Sequence, residues 1–179
     1  MTMSIDKAIK GRRSIRDYKQ EGVPEELIRQ IIEAATFAPS AKNGQQWRFT
    51  VLTGDSKGNF TDLYRDRLGK LDFDVGSSYG SCEMMEEAPV VIIVWNTNQF
   101  GWETEIHGVA AAIQNLLLKA HSLGLGTCWI GDVFYAYNTI MKYFKKPWKL
   151  LAAITVGWPA VSPGPRPRLS VDKVAEFMS

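Results

Sequence analysis

Val90-Val91-Ile92-Ile93-Val94-Trp95 is an unbroken β-branched and aromatic run, entered from Pro89. A half-exposed strand alternates apolar with polar side chains, so a run without polar interruption reads as a strand buried on both faces. The next apolar stretch, from about Glu103 to Leu123, has helical periodicity and is stopped by Gly124 and Gly126. Small residues fall on almost every side of it: Gly108, Ala110, Ala111, Ala112 and Ala120. Such a helix is central, packed closely against other helices or against its own copy in a dimer.

Working outward, Thr127–Ile130 and Leu150–Gly157 read as two further strands, with a helix at about 135–144 between them that Pro147 ends. On the N-terminal side, Ser4 caps a short helix through Lys10 with Gly11 as its stop. Pro24-Glu25-Glu26 starts another, in which Leu27, Ile28, Ile31, Ile32 and Ala35 recur at helical spacing up to Phe37. Pro39 closes it, and Trp47–Thr53 follows as a strand. Residues 57–70 carry a moderate helical pattern, and the Gly/Ser-rich segment 71–81 is expected to be mobile. From Pro159 to Pro167 the chain holds four of its eight prolines, so this tail is extended and needs a surface to lie on. A partner subunit would provide one. Helices and strands are mixed without regular βαβ units, which is an α+β order, and no linker divides residues 1–179 into more than one domain.

Composition narrows the function. The 179 residues are 45% hydrophobic and 22% charged, with a net charge of only +2. That balance argues against non-specific nucleic-acid binding, which needs a domain-wide basic face. The longest apolar run is too short to span a bilayer, and residues 1–20 show no signal-peptide core, so a cytoplasmic protein is expected. Cys82 and Cys128 lack metal-ligand spacing, and His107 and His121 form no ligand pair. His121, near the end of an apolar helix, reads as structural, and Glu86-Glu87 as a solvated face.

Against this even background the charge is locally concentrated. Arg12-Arg13-Ser14-Ile15-Arg16 lies near one end and Arg166-Pro167-Arg168 near the other. Guanidinium forks with a hydroxyl among them suit a small anion such as a phosphate monoester, provided the fold joins the two ends. Between them, Pro39-Ser40-Ala41-Lys42-Asn43-Gly44-Gln45-Gln46-Trp47 is an amide-rich turn before a strand. Asn and Gln both donate and accept, as the edge of a heterocycle or a polyol requires; the same residues also serve plain turn geometry. There is no G-x-G-x-x-G, Walker loop or G-x-S-x-G elbow, and no acid–base team. An enzyme made this way borrows its chemistry from a cofactor.

These strings, in order, resemble the nitroreductase family of FMN-dependent oxidoreductases. The resemblance runs from Arg12-Arg13-Ser14-Ile15-Arg16 and Ala38–Trp47 through Ala112–Ala120 and Gly124–Gly131 to Gly157-Trp158-Pro159 and Arg166-Pro167-Arg168. It implies a three-layer α-β-α sandwich with a mixed, mainly antiparallel sheet, assembled as an intertwined homodimer with FMN at the subunit interface. Arg12, Arg13, Ser14, Arg166 and Arg168 would hold the phosphate and ribityl chain, and Arg16 would lie near the N1/O2 side of the ring. Pro39, Ser40, Asn43 and Gln45 would come from the other subunit. Ile130 and Gly131 would run along the ring, with the Gly131 N–H facing N5.

The implied reaction is ping-pong: NAD(P)H reduces the flavin, and a nitroaromatic, quinone or similar electron-poor small molecule then reoxidises it. More specialised flavin chemistry (dehalogenation, dehydrogenation, flavin fragmentation) and non-catalytic flavin binding remain alternatives. Residues 54–82 show no match to further flavin contacts. The aromatics Tyr64, Phe73, Tyr79, Phe100 and Trp102 are open to either substrate stacking or core filling.

Overall fold

The computed structural model describes residues 3–178. In chain order these form α1 (Ile5–Gly11), α2 (Glu25–Thr36), β1 (Trp47–Leu52), α3 (Gly54–Leu68), α4 (Ser78–Glu87), β2 (Val90–Asn96), α5 (Glu105–Ser122), β3 (Gly126–Ile130), α6 (Tyr137–Phe144) and β4 (Lys149–Gly157). Short 3-10 turns cover Ala41–Asn43, Asp132–Ala136 and Val171–Lys173. No helix of the described residues is long and apolar enough to cross a membrane.

The four strands lie in the order β1-β2-β4-β3, each pair antiparallel. The only parallel pairing among the described residues is the isolated bridge between Ser14 and Thr127. Central β2 shows why its sequence does not alternate. Val91, Ile93 and Trp95 enter one core, shared with Phe60, Tyr64 and Leu68 of α3, Cys82 and Met85 of α4 and Ile140 of α6. Val90, Ile92 and Val94 enter the other, against Ile28, Ile31 and Ala35 of α2 and Val109, Ile113 and Leu116 of α5. Each of these aliphatic side chains contributes about 1.5–3 kcal/mol by leaving water. A polar residue at either set of positions would face a dry layer, so both must be apolar. The result is a three-layer α-β-α sandwich.

The segment after α1 is laid across the end of this sheet. The Ile15 N–H donates to Thr127 O (2.9 Å), Lys19 N–H to Trp158 O (2.9 Å) and Ala160 N–H to Asp17 O (3.0 Å). The buried Tyr18 hydroxyl is 2.7 Å from both Ile15 O and Thr155 Oγ1, and its burial raises its pKa well above the ordinary tyrosine value. Two glycines permit this approach. A Cβ at Gly126 would stand 2.8 Å from Ile15 Cγ1, and one at Gly157 would stand 2.7 Å from Tyr18 Cδ1. Neither distance leaves room for a methyl group.

Three boundaries differ from the sequence expectation. Residues 71–81 were expected to be mobile, yet α4 begins at Ser78 and buries Ser78, Cys82, Met84 and Met85. Helix α3 starts at Gly54, where the Thr53 N–H donates to Ser56 Oγ at 3.1 Å and steadies the first turn. The helix expected at about 135–144 opens as a 3-10 turn and becomes α-helical only at Tyr137. The tail beyond β4 is extended as expected. It leaves Leu169 70%, Val174 66% and Phe177 83% exposed, so its apolar side chains find no cover in their own chain.

Candidate functional site

The fold brings the two basic clusters together. Arg12, Arg13, Ser14, Arg16, Gly164, Arg166 and Arg168 line one cavity of about 240 Å³, and among the described residues no carboxylate lines it. Arg13 makes the join: its Nε donates to Gly164 O (3.3 Å), and its Nη1 donates to Lys10 O (2.7 Å) and Arg12 O (2.9 Å). The Arg13 guanidinium is therefore spent largely on backbone carbonyls at the end of α1. Arg168 makes one such bond, Nη1 to Pro167 O at 3.3 Å. Like charges gathered without an acid repel one another, and an anion in the cavity relieves that repulsion.

Arg16 also lines a second, larger cavity of about 530 Å³, together with Cys128, Trp129, Ile130, Gly131 and Asp132 at the end of β3. Its opposite wall is α4, through Gly80, Ser81, Glu83, Met84 and Glu87. A ligand with its anion among the arginines can thus extend past Arg16 over Ile130 and Gly131. Gly131 has nothing within 4 Å of where a Cβ would be, so its backbone is open to approach. Burial pushes the Cys128 thiol up, while Arg16 and a hydrogen bond from Ser14 pull it back. It remains a buried thiol.

Pro39, Ser40, Asn43 and Gln45 are not in either cavity. Pro39 and Ser40 line a separate one of about 240 Å³ with Thr104, His107 and Gly108 at the start of α5. Ser40 Oγ accepts from the Gln45 N–H at 3.0 Å. Lys42, Asn43 and Gln45 all have positive φ, near +50°, a conformation that Asn tolerates better than most. This turn is tied to the loop after β2: Thr97 N–H donates to Gln46 O (2.8 Å), and the Lys42 ammonium sits 5.1 Å from the Trp102 ring centroid. Within one chain, then, the arginines, Ser14, Ile130 and Gly131 converge, and the amide-rich turn stands apart with its own neighbours.

Two features were missed by sequence reasoning. His121 is structural in position but adjoins the clamp, lining a cavity with Arg12 and Arg13. Its Nε2 would be 2.8 Å from a Cβ at Gly11. Burial first, then Arg12 and Arg13, hold its pKa below the ordinary histidine value. The second is the corner formed by α4 and the turn after β3. There the Ser81 hydroxyl donates to Asp132 Oδ2 at 2.8 Å and the Tyr64 hydroxyl to Asp132 O at 3.1 Å. Nothing in the sequence marks it, because Ser81 lies in the stretch read as mobile.

The description "Nitroreductase family" fits residues 9–158 of the chain. A protein of Methanothermobacter thermautotrophicus named for NADH dehydrogenase/NAD(P)H nitroreductase activity is 35% identical, the match covering 96% of this chain and 86% of that protein. FMN reductase [NAD(P)H] of Bacillus subtilis is 29% identical, covering 95% of this chain and 72% of the relative. Among solved structures, a nitroreductase from Desulfovibrio desulfuricans in complex with FMN superposes with a TM-score of 0.83 at 30% identity, covering 100% of this chain and 99% of that one. With residues 9–158 matching the family description and a relative 35% identical over nearly its whole length, this chain belongs to the nitroreductase family.

Proposed function

We propose that this protein is an NAD(P)H-dependent flavin oxidoreductase that holds FMN with its phosphate among Arg12, Ser14, Arg166 and Arg168 and its ring beside Arg16, Ile130 and Gly131. One observation supports this reading most: Arg16 lines both the acid-free arginine cavity and the larger cavity over Gly131. A phosphate joined to a flat ring system by a flexible chain matches two cavities that adjoin at Arg16. The named relatives and the FMN complex of the D. desulfuricans protein agree with it. FMN supplies the two-electron chemistry when bound.

The chain's own residues bind, orient and tune. Charge-assisted bonds from the free guanidiniums to the phosphate are worth roughly 1.5–3 kcal/mol each. Arg13 holds the tail against the end of α1 and so keeps Arg166 and Arg168 within the clamp. Arg16 places a cation at the entrance to the larger cavity, where it favours a reduced, more negative ring. The open backbone at Gly131 lets a ring approach without a side chain intervening. The nicotinamide and an electron-poor acceptor, a nitroaromatic or quinone, use the exposed side of the site in turn. The remaining contacts, from Pro39, Ser40, Asn43 and Gln45, belong to the site of a second copy in a homodimer. The uncovered apolar side chains of the tail fit the same assembly.

The purified protein is expected to carry or take up FMN, and NADH or NADPH should bleach its visible absorption under anaerobic conditions. Protein that stays colourless with excess FMN overturns the reading. Flavin that binds but is bleached by neither nicotinamide assigns the chain to non-catalytic flavin binding instead.

A further inference from the structure

Five charged side chains line the larger cavity: Arg16, Asp17, Glu83, Glu87 and Asp132. Four of them stand in water. Arg16, Asp17, Glu83 and Glu87 are all exposed, so solvent and salt screen them. Asp132 differs. It is half-buried, its Oδ2 is fixed by the Ser81 hydroxyl at 2.8 Å, and its backbone carbonyl is fixed by Tyr64. Its other oxygen, Oδ1, is buried without any hydrogen-bond partner among the described residues. A carboxylate oxygen shut away from water and left unpaired is costly to keep. It is also the least-screened negative charge on the cavity wall. It directly follows Gly131, whose backbone is the open surface of the site.

We propose that Asp132 sets the reduction potential of the bound flavin: its carboxylate, clamped by Ser81 and with one oxygen shut away from solvent, disfavours electron uptake by the ring and opposes the exposed cation Arg16. This rests on the FMN reading given above. Reduction adds negative charge to the ring system, so a fixed anion nearby raises the cost of the reduced state and a fixed cation lowers it. The two residues therefore act with opposite sign on one quantity. Ser81 is the positioning residue, because it holds the carboxylate without carrying charge.

The test is the midpoint potential of the FMN-loaded protein, measured by dye-linked spectrophotometric titration at pH 7 with no substrate present. Asp132→Asn keeps the shape and the Ser81 contact and removes the charge. It is expected to favour the reduced form roughly five- to tenfold, a rise of about 20–30 mV for a two-electron couple. Arg16→Gln should move the potential the opposite way, and Asp132→Glu, which restores the charge, should return it to within about twofold of wild type. An unchanged potential in D132N, a downward shift, or loss of FMN from D132N overturns the inference, even if the wild type binds and is reduced normally. Failure of the wild type itself to bind FMN is a separate result, which removes the underlying reading instead.

Discussion

The arginine clamp and the amide-rich turn are both built from residues suited to grip a ligand, yet they are finished to different degrees. The clamp closes within one chain. Residues at opposite ends of the sequence line one cavity, and Arg13 ties them through Gly164 O. The turn at residues 39–46 lines a cavity of like volume through Pro39, Ser40 and Ala41, but its other walls are Thr104, His107, Gly108 and Ala111 rather than a cluster of arginines. Its lobe also keeps buried acceptors without donors among the described residues: Gln46 Oε1 and Glu105 Oε2, on residues 0% and 1% exposed. Glu105 spends its other oxygen on the Phe100 and Trp102 N–H groups, each at 3.0 Å. On the proposed homodimer reading, one copy supplies the clamp and the other supplies the turn.

The largest effect should come from breaking the finished half. Arg12→Gln and Arg168→Gln each remove a guanidinium that, among the described residues, forms no ion pair. Each is expected to weaken FMN binding roughly 10- to 100-fold, the range for losing one charge-assisted contact. The apo protein should unfold within about 0.5 kcal/mol of wild type, as for surface changes away from the core. Arg13→Gln sharpens the contrast, since it releases Lys10 O, Arg12 O and Gly164 O and should lower stability as well as affinity. Fluorescence titration of FMN and chemical denaturation separate the two. Tight FMN binding by both R12Q and R168Q would break the clamp assignment.

A smaller effect tests whether the unfinished half serves a second copy. The double change Ser40→Ala with Asn43→Ala removes neutral contacts and should cost about tenfold in FMN affinity. Dimers assembled from one R12Q/R168Q copy and one S40A/N43A copy then discriminate. If the turn reaches the partner's clamp, one site of the mixed dimer is doubly damaged and the other is intact, so half of the sites regain native affinity. If the turn serves its own chain, no native site appears at any mixing ratio.

The same contrast explains what could be read in the sequence. The clamp was legible because charge stands out against a balanced chain, and the motif order supplied the ligand. The β2 and α5 layers were legible because both-faced burial leaves no polar residue in Val90–Trp95 and few in the centre of α5. Helix α4 was hidden because Ser77, Ser78, Gly80 and Ser81 have loop composition, while its burial depends on Cys82, Met84 and Met85 meeting α3. Tertiary packing overrides weak local preference there. The tie between Ser81 and Asp132 spans two elements with no common motif, so it had no sequence signal. Nor did the approach of His121 to Arg12, which follows from α1 crossing the end of α5.

That approach gives the smallest of the expected effects, and it tests the clamp from outside. His121 has a folded-state pKa below its ordinary value of 6.5, through burial and then the charges of Arg12 and Arg13. The unfolded chain therefore binds the proton first as pH falls. The stability His121 contributes is fully present above about pH 6.5 and is lost progressively below it. Glu86, held low chiefly by its hydrogen bond from Arg65, gives up its contribution only below its ordinary value of 4.5, outside this window. Between pH 7.5 and 5.5, apo wild type should lose thermal stability and His121→Gln should lose less. FMN in the clamp sets an anion beside Arg12 and offsets part of the repulsion that His121 feels, so the wild-type slope should flatten when FMN is bound. Equal slopes for wild type and H121Q, or a wild-type slope that FMN leaves unchanged, would separate His121 from the clamp.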